Sequence, residues 1–223
     1  MSTRYSDVLI RLKEERCRLS LLQNDMARYI HINQSNYSKV EQGLRRLSYN
    51  DLTCLCETAI DMHYVFTGQR GNSYYLEQLK ECSYSEAICY LNMIHSFIVL
   101  DGKKDSDSEL KDLYERARYI PLIEENQHST NIWRVLRYYM NWQQQKMADK
   151  LGIDVKKLRG LENGRNMPDA ELLCRIYDVF GIPPALILKD RKGVLSEITI
   201  LLGMFDKESE GRAYKLFNLI RKL

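Results

Sequence analysis

The amino-acid sequence contains an internal repeat at a constant offset of 121 residues. The matching pairs are Arg16 and Arg137, Gln23 and Gln144, Met26-Ala27 and Met147-Ala148, Glu41 and Glu162, Gly43 and Gly164, and Leu52 and Leu173. The register holds without a gap over about 60 residues, which chance matches would not do. The sequence therefore predicts one compact unit in each half, over about residues 5–68 and 131–189.

Each unit is expected to contain five short helices. In the first unit, helices over Gln23–Ile30 and Gln34–Gln42 flank a tight turn, and Asn33 is a suitable N-cap for the second of them. The turn begins at His31, a residue that tolerates left-handed backbone better than most, and its counterpart Gly152 tolerates it freely. With only 4 Pro and 11 Gly in 223 residues, the whole chain is predicted to be all-α.

The start of the fourth helix carries a sequence signal of its own. Ser48 followed by Asp51 resembles a capping box, and Gly68 is expected to end the fifth helix. The predicted domains are residues 1–70, a connecting region 71–130 with a linker at 101–108, residues 131–192, and carboxyl-terminal helices over 193–223. Within the connecting region, Glu109–Ile120 reads as a charged helix that Pro121 stops.

Charge is distributed unevenly along the chain, although the net charge is only +3. Residues 1–70 carry 10 Lys and Arg against 8 Asp and Glu, and residues 131–192 carry 12 against 7. Residues 71–130 carry 6 against 11. Two mildly basic blocks around an acidic middle are compatible with a polyanionic partner, but many proteins that bind no polyanion have a similar distribution.

Several classes of protein do not fit the composition. No apolar run of about 18 residues is present, and the first residues lack the apolar stretch of a secretory signal, so a cytoplasmic protein without a membrane span is expected. The six cysteines form no C-x-x-C pair and read as reduced, buried or half-buried thiols. The four histidines lack ligand spacing, so neither a metal site nor another cofactor is expected. No glycine-rich phosphate loop, nucleophile motif or paired carboxylates indicate an enzyme.

Both halves resemble the lambda-repressor-like (XRE) helix-turn-helix family. The residues that carry the resemblance are Gln23-Asn24-Asp25-Met26-Ala27 with Glu41-Gln42-Gly43, and Gln144-Gln145-Lys146-Met147-Ala148 with Glu162-Asn163-Gly164, followed by Arg165-Asn166-Met167-Pro168. The resemblance implies two five-helix DNA-binding domains, each followed by extra helices, in which the second helix of each pair enters the major groove.

In the first repeat the resemblance places Gln34, Ser35, Asn36 and Lys39 at the DNA, while Tyr37 and Val40 face the core. Gln and Asn can bind adenine through two hydrogen bonds, and Lys can bind guanine. A solvent-exposed helix face without a ligand would have the same composition, so DNA contact is a prediction.

In the second repeat the corresponding face carries Lys156, Lys157 and Arg159, together with Val155 and Gly160. Because Gly160 stands where the first repeat has Lys39, this copy favours phosphate contacts over base readout. The alternative for this copy is a purely structural or dimer-forming role.

Further positions follow from the resemblance. Gln23 and Gln144, at the first helix of each pair, are expected to contact phosphate and brace the recognition helix. The residues expected to reach phosphate or the minor groove are Arg45, Arg46, Arg165 and Asn166. Partly buried salt bridges are implied for two pairs spaced alike, Arg16 with Glu41 and Arg137 with Glu162.

One helix has no obvious place in either unit. Residues 87–100 form a predicted helix that is apolar nearly all round, so its surface is expected to be buried. One alternative is burial inside the chain, against helices of the other half. The other is a homodimer interface, to which the carboxyl-terminal helices could also contribute.

The sequence therefore predicts a sequence-specific transcriptional regulator, expected to be a repressor, with double-stranded DNA as its partner. The alternative is an antitoxin-like or anti-repressor protein whose helix-turn-helix units bind a protein partner. An effector, whether a protein or a small molecule, is left open.

Overall fold

A computed structural model describes residues 4–101, 132–205, 207–208, 211–213 and 215. Within these residues the fold is all-helical, without a strand. The helices before the undescribed central segment are α1 Tyr5–Arg18, α2 Gln23–Tyr29, α3 Gln34–Glu41, α4 Tyr49–Cys56, α5 Met62–Thr67, α6 Ser73–Leu79 and α7 Tyr84–Asp101. Those after it are α8 Ile132–Tyr139, α9 Gln144–Leu151, α10 Val155–Glu162, α11 Ala170–Phe180, α12 Pro184–Leu188 and α13 Arg191–Leu202.

The first five helices and helices α8–α12 follow the same order at the same offset. We call α1–α5 the amino-terminal unit and α8–α12 the carboxyl-terminal unit. Helices α3 and α10 match at both ends when 121 residues are added, and α2 with α9 and α4 with α11 match at their first residues. The repeat detected in the sequence is therefore also a repeat of helix positions.

Left-handed backbone occurs at equivalent positions of the two units. The four pairs with positive φ are Ser20 and Asn141, His31 and Gly152, Gly43 and Gly164, and Gly68 and Lys189, each pair 121 residues apart. His31 and Gly152 have φ values of 56° and 60°, as the sequence predicted for this turn. Residues other than glycine rarely adopt this backbone conformation. The four shared positions therefore show that the two units follow the same chain path through their turns.

Side-chain caps set the starts of the helices after each turn. The Asn33 side chain accepts a hydrogen bond from Asn36 N, and the Asp154 side chain accepts one from Lys157 N. Ser48 and Asp51 form the predicted capping box at α4, with both reciprocal hydrogen bonds present. Such caps satisfy amide groups that the first turn of a helix leaves without a partner.

Helix α13 joins the two halves. It packs along α7 and also contacts α5, α6 and α12. Asn72 N donates to Thr199 Oγ1 over 2.9 Å, and a Cβ on Gly71 would lie 2.9 Å from the Cα of Ser196, so the chain before α6 needs a glycine there. A helix that follows the carboxyl-terminal unit thus completes the core of the amino-terminal half.

The apolar helix predicted at 87–100 lies within α7. Its buried side chains include Ala87, Tyr90, Leu91 and Ile94, on a helix that packs against α13. This arrangement favours the first of the two alternatives, burial within the chain, and the homodimer stays a prediction. The linker at 101–108, apart from Asp101 at the end of α7, and the connecting helix Glu109–Ile120 lie outside the described residues.

The cysteines, all of which lie in the described part of the chain, form no disulfide. Their predicted burial was wrong for two of the six, because Cys17 and Cys89 are exposed. Burial raises the pKa of the Cys174 thiol to about 12. No helix among the described residues is both long and apolar enough to cross a membrane.

Acid should destabilise this fold through His95, which is buried in α7 with no hydrogen-bond partner for Nδ1. Burial lowers the pKa of His95 to about 4. The unfolded state, with a pKa near 6.5, takes up a proton first, so the stability contributed by neutral His95 is present above pH 6.5 and is lost as the pH falls toward 4.

We expect the free energy of unfolding of the wild type to fall between pH 6.5 and 4 by about 3 kcal/mol more than that of His95→Phe. Denaturant titrations at several pH values measure this difference. Curves that run parallel for the two proteins would show that the pKa of His95 is the same in the folded and the unfolded state.

Candidate nucleic-acid interface

A glutamate in each unit, with a side chain that is 7% exposed at Glu41 and 1% exposed at Glu162, binds an arginine and a glutamine from two other helices. In the amino-terminal unit, Arg16 Nε lies 2.7 Å from Glu41 Oε1, and Gln23 Nε2 donates to Glu41 Oε2 over 2.7 Å. Arg16 also donates to the carbonyl of Leu21. These contacts connect α1, α2 and α3, so the orientation of α3 depends on one carboxylate.

The carboxyl-terminal unit repeats the same contacts atom for atom. Arg137 Nε donates to Glu162 Oε1 over 2.5 Å, and Gln144 Nε2 donates to Glu162 Oε2 over 2.8 Å. The hydrogen bond to Glu162 raises the pKa of Arg137, as the bond to Glu41 raises that of Arg16. We refer to these two sets as the Arg–Glu–Gln triads.

The glutamines are therefore anchored to the protein. Gln144 also accepts a hydrogen bond at Oε1 from Arg159 Nε over 3.0 Å, which links α9 to α10. The sequence predicted that these glutamines brace the recognition helix and contact phosphate. Their hydrogen bonds to the buried glutamates are consistent with the first role, and phosphate contact stays a prediction.

Helix α3 presents a polar outer face. Gln34, Ser35 and Lys39 are exposed and Asn36 is half-buried, whereas Tyr37 and Val40 are fully buried. Three of the four predicted base-contacting residues are therefore exposed to solvent, and the fourth is partly so. Their types can donate to and accept from base edges.

Helix α10 presents a different outer face. Lys156 and Arg159 are exposed, and Val155 is half-buried. Lys157 Nζ lies 3.1 Å from the carboxylate of Asp169, the N-cap of α11, so part of its charge is compensated within the unit. The positive charge that this helix offers a ligand comes chiefly from Lys156 and Arg159.

Gly160 leaves room for the side chain of Asn166. A Cβ on Gly160 would lie 2.8 Å from Asn166 Cγ, closer than real contacts allow. Arg165 N and Asn166 N both donate to the carbonyl of Gly160, which folds the segment after α10 back over the helix. The amide of Asn166 therefore lies close to the place where Lys39 carries its side chain in the amino-terminal unit.

The two arginines after α3 have carboxylate partners that sequence reasoning missed. Arg45 Nη2 contacts both oxygens of Asp51, at 3.3 and 3.1 Å. Arg46 Nη2 lies 2.7 Å from Glu171, which belongs to the other unit. The capping box at Asp51 was a sequence signal that could have suggested the first pair, but no local pattern indicates the second.

A comparison with protein families identifies the fold of most of the carboxyl-terminal unit. Residues 140–187, which include α9 to α11, match the family model described as a helix-turn-helix. These residues form a helix-turn-helix domain. The family is one of DNA-binding regulators. The match does not extend to the amino-terminal unit. No curated protein and no solved structure matches the chain.

Removal of the buried carboxylate should unfold the amino-terminal unit. Glu41→Ala leaves Arg16, whose side chain is only 12% exposed, without its ion-pair partner and leaves the amide of Gln23 without its acceptor. We expect a loss of roughly 3–5 kcal/mol in the free energy of unfolding, since breaking a buried pair leaves an uncompensated charge.

Thermal unfolding followed by circular dichroism measures this effect. Glu77→Ala is the control, because Glu77 is exposed and contacts only its helix neighbour Lys80 among the ion pairs found. A Glu41→Ala protein with an unchanged melting curve would show that the triad does not hold the unit together.

The contact between Gly160 and Asn166 can be tested by a double-mutant cycle. Alanine is favoured over glycine inside a helix by about 0.8–1 kcal/mol, so Gly160→Ala should stabilise an Asn166→Ala protein by about that amount. In the wild type the gain should be smaller, because the new Cβ must displace the Asn166 amide. Denaturant titrations of the four proteins measure both steps, and equal gains in both backgrounds would contradict the contact.

Proposed function

We propose that the protein is a sequence-specific DNA-binding transcriptional repressor with two helix-turn-helix domains, the matched domain at 140–187 and a second one formed by the amino-terminal unit. The observation that carries the proposal is the duplicated Arg–Glu–Gln triad. It connects the same three helices in both units, with equivalent atoms.

The backbone of the amino-terminal unit supports the same conclusion. Helices α2 and α3 are joined by a turn with left-handed backbone at His31, as α9 and α10 are joined by one at Gly152. The turn closes alike in both units, since Ile32 N donates to Ala27 O and Ile153 N donates to Ala148 O. A pair of short helices with this turn is the helix-turn-helix layout.

The two recognition helices are proposed to make different kinds of contact with DNA. Helix α3 offers Gln34, Asn36 and Lys39 for direct contact with base edges. Helix α10 offers Lys156 and Arg159, together with Arg165 just beyond it, for phosphate contacts that fix orientation. The protein would repress by occupying its site, and the bases contacted by α3 would determine most of its sequence preference.

Selection of DNA from a random pool, followed by fluorescence anisotropy on the enriched duplex, tests this division. Gln34→Ala/Lys39→Ala should lose preference for the selected sequence, at a cost of about 1–3 kcal/mol per lost base contact. Lys156→Ala should weaken binding to all sequences alike and reduce the salt slope by about 1.

Lys80→Ala is the matched control. It removes one positive charge at the end of α6, outside both units, and should leave affinity and salt slope unchanged. If no sequence is enriched, the proposal of a sequence-specific regulator is wrong. If binding is also insensitive to salt, a protein partner becomes the better hypothesis.

A further inference from the structure

The two units contact each other directly at the segments that follow their recognition helices. Ala170 N, the first amide of α11, donates to Leu47 O over 3.0 Å, and Arg46 forms its ion pair with Glu171. Leu47 and Ala170 have no exposed surface. We call residues 46–49 and 168–171 the inter-unit junction.

The order of these contacts is reversed between the units. Ala170 and Glu171 are equivalent to Tyr49 and Asn50 of the amino-terminal unit once the offset of 121 is removed. Leu47 thus pairs with the counterpart of residue 49, and Arg46 pairs with the counterpart of residue 50. Both pairs centre on Ser48 and its own counterpart Asp169.

A reversed order about one centre is what an approximate two-fold axis between two similar units produces. The symmetry is only approximate, because no hydrogen bond from Tyr49 N to Pro168 O matches the one from Ala170 N to Leu47 O. Here both units belong to one chain. Ser48 and Asp169, the N-caps of α4 and α11, stand beside the approximate axis.

Other contacts hold the junction. The Tyr49 hydroxyl donates to Ile187 O over 3.1 Å, helix α4 packs on α12, and helix α1 packs on α11. Leu47 N donates to the hydroxyl of Tyr5, which ties the same segment to α1. The units are therefore joined by backbone, side-chain and apolar contacts together.

In the sequence, each recognition helix ends shortly before the inter-unit junction. Helix α3 ends at Glu41, five residues before Arg46, and α10 ends at Glu162, six residues before Pro168. An approximate two-fold axis reverses the part of each helix direction that lies perpendicular to the axis. Double-stranded DNA has the same kind of axis between half-sites in inverted orientation.

We propose that a single chain, without a second copy, binds two unlike half-sites in inverted orientation and at one fixed spacing. This inference rests on the proposed function and adds the number of chains, the orientation and the spacing of the DNA site. The two units of one chain would take the places that the two subunits of a homodimer otherwise take on two half-sites.

The test uses the full chain and the duplex selected from a random pool. Sedimentation of the complex should show one chain per duplex, and the selected sequence should contain two dissimilar segments in inverted orientation. Insertion of about 5 base pairs between them, half of a helical turn of about 10.5, should lower the affinity at least tenfold, since the second half-site then faces away.

A loosened junction should relax the spacing requirement. Tyr49→Phe/Glu171→Gln removes the hydroxyl donor to Ile187 and the carboxylate that binds Arg46 and Arg175, and it changes no residue of either recognition helix. The ratio of affinities for native and lengthened spacing should fall at least threefold. Tyr64→Phe/Glu77→Gln makes the same chemical changes away from the junction and should keep the wild-type ratio.

The outcomes separate the two proposals. Four results would overturn the inference and leave the proposed function standing. The enriched sequence could be bound by two chains, its two segments could be direct repeats, it could have only one segment, or its affinity could be independent of the spacing. An absence of any enriched sequence overturns both.

Discussion

In each unit one glutamate carboxylate connects three helices, with a side chain that is 7% exposed at Glu41 and 1% exposed at Glu162. Glu41 and Glu162 are 25 residues after the arginines they bind and 18 after the glutamines, so each triad closes the unit through contacts between α1 and α3 or α8 and α10. A carboxylate so little exposed is costly to bury unless its oxygens are hydrogen-bonded, and both oxygens of each are. The orientations of α3 and α10 thus depend on hydrogen bonds made by side chains other than those on their exposed faces.

The two units follow the same backbone path but differ in the residues on their outer surfaces. Positive φ is retained where the side chain has changed, as at His31 and Gly152 or at Gly68 and Lys189. A non-glycine residue there carries a conformational cost that the surrounding hydrogen bonds must offset. On the outer face, by contrast, the counterpart of Lys39 is Gly160, and the side chain of Asn166 occupies the space beside this glycine. The two units therefore agree in backbone conformation at positions where their side chains differ.

Local patterns predicted much of each unit and little of how the units meet. The caps at Asn33 and Ser48 and the turn at His31 follow from short-range chemistry, and the structure has them. The positive φ at Lys189 had no such signal, because lysine does not favour it. The Arg46–Glu171 pair and the Leu47–Ala170 hydrogen bond join residues more than 120 positions apart, so only the packed arrangement brings them together.

The count of basic residues overstates the charge available to DNA. Arg45 binds Asp51, Arg46 binds Glu171, and Lys157 binds Asp169, so these cations must exchange a carboxylate for a phosphate if they are to contact the duplex. Arg46 is the case that matters most, because it also lies in the inter-unit junction. Its side chain is 61% exposed, and such exposed ion pairs contribute no more than about 1 kcal/mol. A phosphate could therefore take Arg46 from Glu171 while the backbone hydrogen bond from Ala170 to Leu47 keeps the two units together.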